Sequence, residues 1–198
     1  MHLRKRINYL KGILLETMST SKKTIAIDMD GVIADTVMQF ISWYEKDYGI
    51  KVGKDVFEGK PEIEALPEGV MKKMVLSPGF FRNVPVMEGA QEAVLELMEH
   101  FDVYIVSAAM EFPQSLVEKY EWLKEHFPFI SWHKIIFCGD KSVIGTDYMI
   151  DDHVRNLDCC KGKTLMFTAG HNTGVNHHTR VNNWQEVMQL LRKELQEK

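Results

Sequence analysis

The sequence predicts an α/β protein in which a parallel β-sheet is covered by helices on both faces. Two observations predict it. Short continuous apolar runs alternate along the chain with longer stretches whose apolar residues recur at helical spacing, and a strand buried on both faces reads as such a run. The runs also share an ending. A carboxylate, serine or lysine follows directly in "IAID", "VYIVS", "IIFCGDK" and "YMIDD", and in open α/β sheets a ligand lies outside the carboxyl ends of the strands.

Each element can be justified in order. Thr24 to Ile27 is a short buried strand. "TVMQFISWYEKDYGI" follows, with Val37, Phe40, Ile41, Tyr44 and Tyr48 close to helical spacing. Residues 49 to 66 are polar and irregular, and Pro67 is expected to open the next helix at its first turn. "PGFF" breaks that pattern at Pro78 and Gly79. Glu88 to His100 is an amphipathic helix with Ala93, Val94, Leu97 and Met98 inward. "VYIVSAAM" is a strand, "FPQSLVEKYEWLKEHF" a helix, "KIIFCGD" and "DYMIDD" two more strands, "TLMFTAG" a fifth, and Trp184 to Gln196 the last helix. No internal repeat or low-complexity segment interrupts this alternation.

Composition narrows the function. A chain of 198 residues, 45% hydrophobic and 26% charged, suits one core and a small subdomain. The net charge of −4, with no basic block after residue 23, argues against a nucleic-acid polymer as partner. A mononucleotide needs only one local positive site. Cys138, Cys159 and Cys160 are odd in number and form no C-x-x-C, so reduced thiols in a cytoplasm are expected. No stretch approaches the roughly 18 apolar residues of a membrane span. Residues 1–23 begin basic, but their apolar stretch is short and broken; they read as an extension, with Met18 an alternative start.

"IAIDMDGVIAD" places Asp28, Asp30 and Asp35 within eight positions after an apolar run. Burying that much charge is costly unless something pairs with it. In extended chain Asp28 and Asp30 point the same way, and Gly31 permits a sharp turn. Like charges this close raise a pKa or require a cation. The plainer reading is that the aspartates cap the next helix; the distant pair Asp151 and Asp152 tips the balance to a site. Ser107 could donate its hydroxyl to a phosphate oxygen. Taken singly, Ser107 is a turn residue, Lys141 a surface lysine, and Asp151 and Asp152 a helix cap. All share one predicted sheet edge.

Two tempting motifs fail. An EF-hand counted from Asp28 would put Val32 and Ile33 where a ligand and a glycine belong. A P-loop at "KGKT" would put Leu157 at its first glycine. His171, His177 and His178 in "HNTGVNHH" lack the i, i+4 spacing of a zinc protease and read as a polar loop. Phe40, Trp43, Tyr44, Phe80 and Phe81 pack a core by default, and could wall a pocket for a flat ring.

Together "DMDGV", Ser107, Lys141 and "IDD" resemble the four motifs of the haloacid dehalogenase-like phosphatases. "DMDGVIAD", "PGFFRNVPVMEGA", "VEKYEWLKEHF", "IIFCGDKSVIGTDYMIDD", "FTAGHN" and "NNWQEVM" further resemble the 5′(3′)-deoxyribonucleotidases, in order, from Thr24 to Leu190. The resemblance implies a Rossmann-like core of residues 24–36 and 87–198, a small helical cap at 37–86, magnesium, and hydrolysis of deoxyribonucleoside monophosphates. It implies Asp28 as nucleophile and Asp30 as general acid and base. Gly31, Ser107 and Lys141 would hold phosphate, and Asp28, Asp30, Asp151 and Asp152 would hold Mg²⁺. The five aromatics would form the substrate pocket. Where better-known members carry an aromatic residue and a serine, this chain has Thr36 and Ala108. The alternatives are a phosphatase of another small phosphomonoester, such as a sugar phosphate, or a non-catalytic nucleotide-binding protein. The oligomeric state, a homodimer included, is left open.

Overall fold

The computed structural model describes residues 22–196. The extension read as residues 1–23 lies outside the described residues except for Lys22 and Lys23, and Lys23 already opens the first strand. Six parallel strands form one sheet in the order β3-β2-β1-β4-β5-β6. They are β1 (Lys23–Asp28), β2 (Phe101–Ser107), β3 (Ile135–Phe137), β4 (Tyr148–Asp151), β5 (Lys163–Phe167) and β6 (Thr179–Val181). The helices are α1 (Thr36–Tyr48), α2 (Val70–Val75), α3 (Ala90–His100), α4 (Ser115–His126), α5 (Val154–Asp158) and α6 (Trp184–Gln196).

Strand alternation distributes the core over two faces. Ile25 and Ile27, Val103 and Ile105, and Tyr148 and Ile150 share one buried cluster with Val94 and Leu97 of α3, Trp122 of α4 and Val187 of α6. Their neighbours Ala26, Val106, Met149 and Met166 pack with Leu157 of α5 in another. Each fully buried large apolar side chain contributes roughly 1.5–3 kcal/mol by leaving water. Two buried tryptophans also satisfy their single donor. Trp122 Nε1 donates to the Val84 carbonyl at 2.7 Å, and Trp184 Nε1 to that of Val32 at 2.9 Å.

Three local expectations need correction. β6 was not foreseen: "TRV" is too short to show alternation and is recruited by pairing with β5, Leu165 opposite Thr179. α2 begins at Val70 rather than at Pro67. The Pro67 carbonyl accepts the Val70 N–H at 3.1 Å, closing a turn, and Gly69 at φ +78° must follow before the helix can start. β3 ends at Phe137, so Asp140 lies beyond the strand, exposed, and accepts the Ser142 N–H at 2.8 Å.

Between Asp35 and Val86 the chain leaves the sheet and returns. Its two ends are held together: Ala34 bridges Val86, and the Asp35 N–H donates to the Pro85 carbonyl at 2.8 Å. The excursion carries its own buried apolar cluster, including Phe40, Tyr44, Phe57, Met71, Phe80 and Phe81. That cluster stands over the carboxyl edge of the sheet and forms the roof of the cavity described next.

Candidate active site

Adjacent strands β2, β1 and β4 bring Ser107, Asp28 and Asp151 to one edge, because Asp28 pairs with Val106 and Ile27 with Ile150. All three are buried, as are Asp152 and Lys141. Lys141 Nζ lies 2.7 Å from both Asp28 Oδ1 and Asp151 Oδ2. Asp28 Oδ1 also accepts the Met29 N–H at 2.6 Å. Asp151 accepts the His153 N–H at 2.8 Å and the Asn156 amide at 3.0 Å. Asp140, at the start of the Lys141–Val143 turn, caps that turn and so places Lys141 without entering the site itself.

Burial, reinforced by Asp151 and opposed by Lys141, pushes the Asp28 carboxyl up to about 7. Asp152 is raised well above the carboxylate range by burial and by Asp28 and Asp151. Burial works against the Lys141 charge, yet Asp28 and Asp151 outweigh it and hold the ammonium above the ordinary lysine range. One oxygen from each of Asp28, Asp151 and Asp152 falls within 4.8 Å of the others. Asp152 Oδ1 is buried with no hydrogen-bond partner. Three carboxylates with hard oxygens, one of them carrying an orphaned acceptor, and a single lysine offsetting their charge fit a small divalent cation such as magnesium. Gly31, at φ +73°, makes room for this: a Cβ there would stand 2.5 Å from Asp152 Oδ2. Gly31 is expected at the phosphate; its amide donates to the Ala34 carbonyl at 2.9 Å.

Asp30 lies just past β1, at the edge of the same cavity. It accepts from Ser107 Oγ at 3.4 Å and from Lys119 Nζ in a short ion pair. Lys119 also donates to Ser107 Oγ at 3.1 Å. This lysine was missed in the sequence because lysines on amphipathic helices usually face water. Its position was nonetheless informative: Ser115, Lys119, Trp122 and Leu123 form the buried stripe of α4. The third carboxylate of the opening motif takes the plainer role. Asp35 caps α1 through the Met38 N–H at 3.0 Å and pairs with Lys54 at 3.1 Å.

Asp28, Asp30, Lys119 and Lys141 floor a cavity of about 560 Å³, a size suited to a small-molecule ligand. Phe40, Phe80 and Phe81 line it, joined by Phe112, Met71 and Val75. Trp43 and Tyr44, expected in the pocket, are not among its lining residues. Trp43 packs edge-on against Phe80 at 5.3 Å and Tyr44 lies against Tyr48 at 5.0 Å, as α1 turns both toward its own cluster. Thr36 and Ala108 do line the cavity. So does Glu62, from a stretch that gave no periodic signal; burial raises its carboxyl, and its Oε1 is 3.7 Å from His171 Nδ1. His153, stacked on His171 at 4.4 Å, is lowered to about 4 by burial and by that neighbour. His177 and His178 lie away from the cavity lining and share Asp158 Oδ1 at 2.9 and 3.0 Å.

Residues 22–196 match the family described as 5′ nucleotidase, deoxy (Pyrimidine), cytosolic type C protein. A 5′(3′)-deoxyribonucleotidase of Bacillus subtilis is 37% identical over 179 residues, covering 86% of this chain and 99% of the relative. A Staphylococcus aureus protein with a provisional 5′(3′)-deoxyribonucleotidase name is 44% identical over 173 residues, covering 85% and 95%. Among solved structures, the magnesium-bound HAD hydrolase YfnB of Bacillus subtilis superposes with a TM-score of 0.55 at 15% identity, over 87% of this chain and 99% of that one. A HAD family hydrolase of Deinococcus radiodurans with bound phosphate and sodium gives 0.55 at 15%, over 88% and 97%. At those identities the two structures speak for the fold alone, an α/β Rossmann-like core.

Proposed function

Since the chain belongs to the 5′(3′)-deoxyribonucleotidase family and is a phosphoric monoester hydrolase of nucleoside monophosphates, we propose that it removes phosphate from deoxyribonucleoside 5′- and 3′-monophosphates through an aspartyl-phosphate. The observation that carries the reading is the juxtaposition in one cavity. Asp28, Asp30, Lys119 and Lys141 lie at its floor, with Ser107 buried just beneath in contact with Lys119, and Phe40, Phe80 and Phe81 stand in its wall.

In this reading the Asp28 carboxylate attacks phosphorus as the bond to the leaving 5′ or 3′ oxygen breaks, splitting one hard displacement into two easier steps. Asp30 gives that oxygen its proton and then takes one from the water that cleaves the acyl phosphate. Ser107, Lys119 and Lys141 hold the equatorial oxygens where charge develops. Lys141 also keeps Asp28 aligned, being shared between Asp28 and Asp151. Asp28, the Asp30 carbonyl, Asp151 and Asp152 would hold Mg²⁺, whose charge lets a carboxylate approach a phosphate dianion. Residues 37–86 act as the cap that closes this chemistry off from water, and three unpaired cysteines fit a cytoplasmic setting. No helix of the described residues is long and apolar enough to cross a membrane.

The aromatic wall favours a base over a sugar as the group bound above the phosphate. A 2′-hydroxyl set against it would lose water without a partner, a cost of about 1–3 kcal/mol. The test is kcat/KM for dUMP, dTMP, dGMP, UMP and glucose 6-phosphate, with and without magnesium. Deoxynucleotides should lead UMP by about tenfold and glucose 6-phosphate by more. A lead for glucose 6-phosphate would replace the nucleotide reading with a sugar phosphatase.

A further inference from the structure

The wall that would grip the base is held by one carboxylate. Glu118, on α4, takes three backbone N–H groups of the "PGFFRN" segment. Gly79 donates to Oε1 at 2.6 Å, and Phe81 and Arg82 donate to Oε2 at 3.1 Å each. Three charge-assisted bonds on one side chain fix a loop firmly. The same helix face continues the hold in both directions. Gln114 Nε2 donates to the Val75 carbonyl at 3.1 Å, and Trp122 Nε1 to the Val84 carbonyl. Residues 114, 118 and 122, the N-cap of α4 and two positions within it, are spaced i, i+4, i+8 and together hold residues 75, 79, 81, 82 and 84.

The next residue along, Lys119, points to the floor. It binds Asp30 and Ser107, and its ammonium lies 4.5 Å from the Phe81 ring centre. Two consecutive side chains of one rigid helix therefore set the distance between phosphate site and aromatic wall. We infer that Glu118 is a positioning residue that confers selectivity for nucleotides over base-free sugar phosphates, by anchoring Phe80 and Phe81 to the core helix. Although the wall lies within the span 37–86 assigned to the cap, it is fastened to α4 and so to the helix that also carries Lys119 to the floor. The inference rests on the nucleotidase reading above.

The experiment compares wild type, Glu118→Gln and Glu118→Ala on dUMP and on 2-deoxyribose 5-phosphate, which is the same phosphoester without a base. Backbone hydrogen exchange at Gly79, Phe81 and Arg82 is followed in parallel. For Glu118→Ala, KM for dUMP should rise tenfold or more with kcat within about twofold. Activity on deoxyribose 5-phosphate should be unchanged, which also certifies the fold. Glu118→Gln, keeping a single acceptor oxygen, should fall between. Exchange at the three amides should accelerate in both variants. Parallel loss on both substrates, or an unchanged KM for dUMP, would overturn the inference. Unaltered exchange would show that Glu118 is not the anchor. A wild type that treats the two substrates alike would refute the base pocket itself; that result is visible before any variant is made, so the two failures are distinguishable.

Discussion

Lys119→Met isolates the residue that the helix hides. Lys119 has a side chain only 3% exposed, so its charge acts on the cavity through little water. If it holds a phosphoryl oxygen in the transition state, its removal should cost about 10²–10³ in kcat, the loss seen when one oxyanion donor is deleted. Methionine keeps most of the volume, so packing beside Phe81 survives. The partner left behind is Asp30, whose side chain is 32% exposed and can turn to water. Loss of a pair so partly solvated costs about 1 kcal/mol, or about 2–4 °C in Tm for a protein of this size. The assay is steady-state hydrolysis of dUMP at saturating magnesium alongside a thermal melt. A hundredfold loss with a small drop in Tm supports the role. Activity within threefold of wild type would reduce Lys119 to a structural partner of Asp30.

Three further outcomes follow from the same geometry. Asp28→Asn should abolish turnover with Tm equal or higher, since a buried carboxylate beside Asp151 is removed; magnesium-dependent activity in the folded variant would refute the nucleophile assignment. Gly31→Ala should raise the magnesium concentration for half-maximal activity at least tenfold, because the new methyl meets Asp152 Oδ2 in a strained φ; an unchanged metal titration would detach Asp152 from the metal. In chelator-treated protein, stability should fall as pH rises from about 4 through about 7. Asp28 binds its proton more tightly folded than unfolded, so the unfolded state holds fewer protons in that window and ΔG of unfolding declines. Magnesium, by neutralising the same carboxylates, should flatten that slope in melts from pH 5 to 8, and a slope unaltered by magnesium would mean that Asp28 and Asp152 do not face the ion.

The parts of the fold that the sequence disclosed are those with a long or repeated signal. β1 and β2 are built round unbroken apolar runs, Ile25 to Ile27 and Val103 to Val106, and α3 shows Ala93, Val94 and Leu97 at helical spacing, all of them buried. β6 has three residues and no pattern, and only its pairing with β5 defines it. Proline at position 67 reads as a helix start, whereas in the fold Pro67 makes a turn and Gly69 decides where α2 begins. In the site, the carboxylates were legible from their crowding, although Asp35 proved to be the helix cap that crowding can equally mean. Lys119 and Glu118 were hidden in an ordinary "VEKYEW" helix, since only the fold reveals that one meets Asp30 and the other the loop at 79–82. The aromatics could be counted but not aimed: α1 turns Phe40 into the cavity and Trp43 away from it, a difference of less than one helical turn.

The central claim is that phosphate passes through Asp28 itself. Rapid quenching of the enzyme during turnover of dUMP, followed by borohydride reduction and peptide mass spectrometry, tests it directly. Borohydride converts an acyl phosphate to an alcohol, so the account predicts reduced Asp28 in wild type only when substrate is present, and none at Asp30. Reduction at neither aspartate, with phosphate released in a single step by water, would contradict it.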